Sequence, residues 1–182
     1  QNVDFGPVIS QEAKEIILAA IEKSSAEGAK MIVDGRYKYQ DKKGFFLGPT
    51  LLDYVTPDME VYKEEVFGPA RIVVRVATLD EAIQLINEHK YGNGVTIFTN
   101  NGAYARKFKN EVNVGMVGVN VPIPIPVGYY NFGGLKGSKF GESYMFGPDT
   151  VHFYTKNKTI SERWLEQNEA DGQIHMSFPN TK

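Results

Sequence analysis

The sequence predicts an α/β fold, a parallel sheet with flanking helices. From Arg71 to Asn120, β-prone runs and amphipathic runs alternate as strand, helix, strand, helix, strand. That order argues for parallel strands joined by crossovers. Each helical run also opens on a capping residue: Ser10, Thr78 with Glu81, and Asn100-Asn101. Such side chains accept hydrogen bonds from the first N–H groups of a helix, which have no partner inside it.

In order, Ser10 caps a helix with Glu12 in its first turn, and its apolar face is Ala13, Ile16, Ile17, Ala20 and Ile21. Gly28 stops it, and Ala29–Val33 is a short strand ended by Asp34-Gly35. Arg36 to Lys43 is polar and turn-rich, a surface loop or hairpin. Extended structure resumes from Gly44 to Leu52 and ends at Thr56-Pro57-Asp58. Arg71–Val76 is expected as a buried strand. Thr78 and Glu81 form a capping box for a second helix with Leu79, Ala82, Ile83 and Ile86 inward. Val95–Thr99 is a buried strand, and a third helix carries Tyr104, Ala105 and Phe108 toward the core before the strand Gly115–Asn120.

The totals exclude several functions. A chain of 182 residues, 42% hydrophobic and 23% charged, suits one domain with a sizeable core. A net charge of −2 with both signs interspersed leaves no basic stripe for nucleic acid or an anionic membrane. No apolar run approaches the roughly 20 residues that a spanning helix needs. The opening residues form no signal peptide and contain no Met, so the chain is expected to begin inside a longer or processed one. Asn157-Lys158-Thr159 fits a glycosylation sequon but is read as chance without a secretory signal. Cysteine is absent, which removes disulfides, thiolate metal sites and any cysteine nucleophile among these residues. His89, His152 and His175 are far apart and not at ligand spacing, so no metal site is assigned.

Three stretches carry candidate chemistry. In Val61–Ala70, Glu64 and Glu65 precede Phe67 and a Gly68-Pro69 break at the mouth of a strand, where contacts to a sugar diol or a ring are built. The competing reading is a solvated acidic turn. In Val121-Pro122-Ile123-Pro124-Ile125-Pro126, alternate residues lack the N–H that a ladder needs. The run is expected as polyproline II beyond the carboxyl end of the preceding strand, where parallel α/β sheets bind ligands. Gly128–Ser138 is glycine-rich and aromatic; it matches no P-loop, and a flexible loop is its competing reading. Near the end, His152–Ile160 is β-prone with no later strand to pair with, so it is blunted by its lysines or joins another subunit's sheet. The tail beyond Trp164 is polar and expected to be poorly ordered.

Taken together, these stretches resemble the C-terminal part of an NAD(P)-dependent aldehyde dehydrogenase, from about Gly6 to Trp164. The markers are Gly6-Pro7-Val8-Ile9-Ser10, Gly44-Phe45-Phe46-Leu47-Gly48-Pro49-Thr50, Glu64-Glu65-Val66-Phe67-Gly68-Pro69 and Asp80-Glu81-Ala82-Ile83. Tyr91-Gly92, Val119-Asn120, Phe132-Gly133-Gly134 with Lys136 and Ser138, and the closing strand follow in order. Within that family, Val119–Pro126 and Phe153–Ile160 look most like the methylmalonate-semialdehyde dehydrogenase branch, which is coenzyme A-acylating and acts on malonate or methylmalonate semialdehyde.

The resemblance implies a layout: residues 1–150 in the catalytic domain, 151–165 an oligomerisation strand and 166–182 a polar tail. It implies that Glu65 accepts hydrogen bonds from the nicotinamide ribose of NAD and that Phe67 packs beside the nicotinamide. Asn120, Val121, Pro122, Ile123, Pro124 and Ile125 would form the acyl-pocket wall, with Phe132 at the substrate entrance. Val151 to Ile160 would join subunits of a homo-oligomer. In the family a cysteine thiolate attacks the aldehyde, and the thioester left after hydride transfer is resolved by water or coenzyme A. That cysteine lies upstream of the matched segment, so this chain is expected to be a C-terminal fragment, inactive alone. NAD against NADP stays open, and the compartment is the bacterial cytoplasm or, alternatively, the mitochondrial matrix. The alternative function is a non-catalytic assembly module that kept only the joining strand.

Overall fold

The computed structural model describes residues 5–162 and 164; the expected polar tail, 166–182, lies outside them. Helix α1 (Gln11–Ala26) starts where expected, with the Ser10 hydroxyl accepting from the Ala13 N–H at 3.1 Å. It ends at Gly28, whose φ of +108° is a conformation glycine adopts without strain. Ile17, Ile21 and Ser24 form the buried face, and the Ser24 hydroxyl donates to the Ala20 carbonyl at 2.6 Å. Ile16, expected inward, is 68% exposed. The buried stripe repeats at four residues, 17 and 21, and Ile16 stands about 100° away from it.

Strands β1 (Lys30–Val33), β2 (Thr50–Asp53) and β3 (Ala70–Ile72) form one sheet in the order β1-β2-β3. β1 and β2 are antiparallel; β2 and β3 are parallel, with Leu51 opposite Arg71. Leu52 is fully buried at the centre of a cluster with Ala29, Val55, Met59 and Val61. The strand expected over Arg71–Val76 is shorter and only half-buried. Beyond Ile72 the pairing continues irregularly, through Val73 N–H to the Leu52 carbonyl at 2.8 Å and Val55 N–H to the Val73 carbonyl at 3.1 Å. Among the described residues β3 lies at an edge of its sheet, with no neighbouring strand on its far side. A one-turn helix α2 (Glu60–Lys63), unforeseen in the sequence, precedes it.

Helix α3 (Leu79–Glu88) carries its capping box with one change. Thr78 Oγ1 accepts from Glu81 N–H at 3.2 Å, while the Glu81 carboxylate reaches one residue further back, to Ala77 N–H at 2.8 Å. β4 (Tyr91–Gly92) and β5 (Gly94–Ile97) follow, then α4 (Gly102–Glu111), capped by Asn101 Oδ1, and β6 (Met116–Val119). β5 and β6 are parallel, and Ile83, Phe108 and Val112 form the core between their helices. Tyr104, expected inward, is 53% exposed. It lies on the first turn of α4, one turn away from the buried Phe108.

The parallel pairing thus occurs in two pairs, β2–β3 and β5–β6. β7 (Leu135–Lys136) adds an antiparallel pair with β4. The closing segment is corrected. Instead of a strand over 152–160, residues Thr150–Tyr154 form helix α5 after a 3-10 turn at Gly147–Asp149, and 155–160 have no sheet partner. A strand needs a neighbour to satisfy its backbone, whereas a helix closes its own hydrogen bonds.

Candidate functional site

The Glu64–Pro69 connector leaves α2 with Glu64 in extended backbone and turns at Phe67, where Gly68 N–H donates to the Val66 carbonyl at 2.9 Å. Val66 packs inward against the clusters around Leu52 and Ile17, while Glu65 and Phe67 are exposed. Gly68 lets this connector touch α1: a Cβ there would stand 2.5 Å from Ile17 Cδ1. The two carboxylates are not equivalent. Glu64 accepts from Lys90 Nζ at 2.7 Å, and that hydrogen bond raises the lysine above its ordinary pKa. Both partners are exposed, so the pair adds little stability. Glu65 makes no hydrogen bond or ion pair with any described residue. Phe67 is 83% exposed and belongs to neither core cluster beside it.

At the carboxyl end of β6, Asn120 N–H donates to the Ile97 carbonyl at 2.8 Å. Its side chain then continues the pairing: Oδ1 accepts from Thr99 N–H and Nδ2 donates to the Thr99 carbonyl, both at 2.9 Å. Both ends of the amide are therefore occupied. A φ of +56° turns the chain there, a conformation that asparagine tolerates better than most residues. Residues 121–126 make no ladder, as their prolines dictate. Pro124 and Pro126 are half-buried, while Val121, Pro122, Ile123 and Ile125 are exposed.

The Phe132–Ser138 stretch is fixed in place. Gly133 and Gly115 touch backbone to backbone, leaving no room for a Cβ on either. Beyond them, β7 pairs with β4, Gly92 N–H donates to Ser138 Oγ at 3.0 Å, and Gly137 N–H to the Lys90 carbonyl at 2.9 Å. Lys136 Nζ donates to the Ile86, Asn87 and His89 carbonyls at 2.9, 2.9 and 3.2 Å, capping the end of α3. Phe132, at the head of this stretch, is 40% exposed.

The expected cofactor-side residues, Glu65 and Phe67, and the expected wall residues, Asn120 to Ile125 with Phe132, are joined by no hydrogen bond among the described residues. The link between their elements runs through Lys90, which pairs with Glu64 and whose carbonyl holds Gly137. Sequence reasoning missed His89. Its Nδ1 accepts from Tyr91 N–H at 3.1 Å, so Nε2 carries the proton and donates to the Tyr62 carbonyl at 2.9 Å. It ties α2 to β4 and borders an apolar cavity of about 440 Å³, lined also by Val74, Val76, Leu85, Ile86 and Val95. None of the expected site residues lines that cavity. At the end of β2, Arg75 forks onto Asp53 at 2.6 and 2.9 Å and holds that carboxyl below the usual range, helped by Tyr54 N–H and opposed by burial. Among the described residues no three His, Cys, Asp or Glu side chains gather at a metal-binding distance, and no helix is long and apolar enough to cross a membrane.

Residues 1–160 match the model of the aldehyde dehydrogenase family, and the chain belongs to that family of oxidoreductases. The particular likeness is to the semialdehyde branch. The chain is 49% identical over 182 residues to the malonate-semialdehyde dehydrogenase of Pseudomonas aeruginosa, covering 98% of this chain and 36% of that protein. It is 47% identical over 167 residues to the acylating, mitochondrial methylmalonate-semialdehyde dehydrogenase of Arabidopsis thaliana, covering 91% and 28%. A Sinorhizobium meliloti structure complexed with NAD, described as a methylmalonate-semialdehyde dehydrogenase, superposes with a TM-score of 0.85 at 47% identity, covering 90% of this chain and 34% of that one. The chain thus spans about a third of the length of the relatives it matches.

Proposed function

We propose that these residues form the nicotinamide-side and acyl-wall portion of an NAD-dependent, coenzyme A-acylating dehydrogenase of malonate or methylmalonate semialdehyde. The observation that carries this reading is the unpaired Glu65 beside the outward Phe67, while its neighbour Glu64 is engaged by Lys90. An ionised carboxylate accepts from both hydroxyls of a ribose, and an exposed aromatic face two residues on suits a nicotinamide ring. NAD, when bound, supplies the acceptor for the hydride that leaves the aldehyde carbon. Glu65 holds and orients; Phe67 limits where the ring can lie. Asn120 to Ile125, stiffened by proline, form the wall that excludes water from the acyl group, with Phe132 at its entrance. The nucleophilic cysteine lies outside these residues, which contain none.

The names of the relatives support the semialdehyde substrates and the acylating outcome. They include mitochondrial and bacterial proteins, so the matrix and the bacterial cytoplasm are both consistent compartments. In this reading residues 155–160, exposed and without a sheet partner, are the segment through which subunits join into a homo-oligomer.

The test uses the complete gene product. Glu65→Gln removes the charge and one acceptor, and a hydrogen bond to a charged group contributes about 1.5 kcal/mol or more, so the NAD Kd should rise about tenfold. Glu64→Gln serves as the control and should leave it unchanged. Equal NAD affinity in Glu65→Gln and wild type would remove Glu65 from the cofactor site. The isolated 182 residues should show no turnover; oxidation of malonate semialdehyde by them with NAD and coenzyme A would overturn the assignment.

A further inference from the structure

We propose that Gly118, beneath the wall, and Asn120, its first residue, whose side chain is turned onto Thr99, determine where residues 121–126 stand and so which aldehydes fit against them, as positioning residues. The inference rests on the wall reading given above. On the parallel pair β5–β6, Gly94 stands opposite Met116 and Thr96 opposite Gly118. Gly94 and Gly118 present no side chains, and the proline segment lies on the flat seat they leave. A Cβ on Gly94 would stand 3.1 Å from Pro124 Cγ; one on Gly118 would stand 2.7 Å from Val121 Cγ2 and 3.3 Å from Pro124 Cβ.

The same Cβ on Gly118 would stand 2.6 Å from Thr96 Oγ1, so it presses on the sheet from one side and the wall from the other. Thr96 belongs to a strand paired along its length, whereas residues 121–126 have no ladder to hold them. The wall is therefore what moves. Restoring ordinary carbon–carbon contact of 3.5–4.0 Å from 2.7 Å requires a shift of about 1 Å at Val121. Asn120 is the second constraint. Its amide clips the start of the wall to Thr99 through two hydrogen bonds at 2.9 Å, and its φ of +56° aims the chain across the seat.

A wall displaced by about 1 Å changes the space for roughly one methyl group, and one methylene in an apolar pocket alters discrimination by about 10–200-fold. Gly118→Ala in the complete gene product should change the ratio of kcat/KM for malonate semialdehyde over propanal by about tenfold, with NAD affinity unchanged. Asn120→Gly keeps the positive φ but loses both clips. It should abolish hydrogen-exchange protection of the Thr99 amide and shift the same ratio. Asn120→Asp keeps the acceptor for that amide and should restore part of the protection and part of the selectivity.

A ratio that stays within about twofold in folded Gly118→Ala and Asn120→Gly proteins overturns the proposal, as does an equal loss of kcat for both aldehydes. Failure of the enzymatic reading shows separately, as no turnover of either aldehyde by wild type. The seat is then judged by crystal structures of the two variants: a displacement of about 1 Å at Val121 in Gly118→Ala or Asn120→Gly supports it, and a 121–126 backbone that superposes on wild type in both overturns it.

Discussion

Replacing Lys136 with Met keeps most of the stem and removes the ammonium that closes α3. The last turn of that helix contains no basic residue of its own, so Lys136 is the cation that meets the negative end of its dipole. Three carbonyls, those of Ile86, Asn87 and His89, lose a donor together. Hydrogen bonds to a charged group contribute about 1.5–3 kcal/mol each, but one partly buried ammonium shared among three acceptors does not triple that. The expected loss is about 2–4 kcal/mol, read as a lower urea midpoint with an unchanged slope. The loss should also be local. Amide exchange at Tyr91, Gly92 and Gly137 should accelerate more than at Ile17 or Ile21 in α1, because β4 and β7 hang from the same cap. A midpoint change equivalent to less than about 0.5 kcal/mol, the scatter of neutral surface substitutions, would refute this role.

Leu52→Ala empties the centre of the largest buried cluster and should cost about 3–4 kcal/mol in urea unfolding; a loss under about 1 kcal/mol would show that the neighbouring side chains collapse to fill the space. Asp53, lowered by Arg75, contributes stability that is complete above the ordinary aspartate value near 4, declines as pH falls below it and is gone below the carboxyl's own lowered value. Asp53→Asn should therefore flatten the fall in stability on acidification, and an acid slope equal to that of wild type would contradict the assignment.

What was legible in the sequence was local. Ser10, Thr78 and Asn101 each cap within three residues, and the structure uses all three. The proline rule similarly placed 121–126 outside any sheet. Burial was less legible: periodicity identifies a face but neither its width nor its length, so Ile16, which flanks the buried stripe of α1, and Tyr104, which lies one turn before the buried part of α4, were assigned inward. The closing segment turned on whether a partner strand exists, which residue preference cannot supply. At the candidate site, Glu65 and Phe67 were singled out by the family resemblance, and nothing local distinguished Glu64 from Glu65. Lys90, 26 residues away, makes that distinction. Lys136 was visible as a motif residue, yet its acceptors lie 47 to 50 residues back, beyond any local signal.

The contact between Gly115 and Gly133 closes a loop, and of the residues inside it only those from Asn120 onward lie outside any strand. Because the two backbones meet without side chains, the ends of the loop are held at one separation whatever lies inside. The entropy of closing such a loop grows only with the logarithm of its length, about 0.6 kcal/mol per doubling. Residues can therefore be exchanged or inserted after Asn120 and before Phe132 without disturbing the β4–β7 anchor. A scaffold pinned in this way can be altered in one stretch of chain, Val121 to Asn131, while the Glu64–Pro69 connector stays as it is.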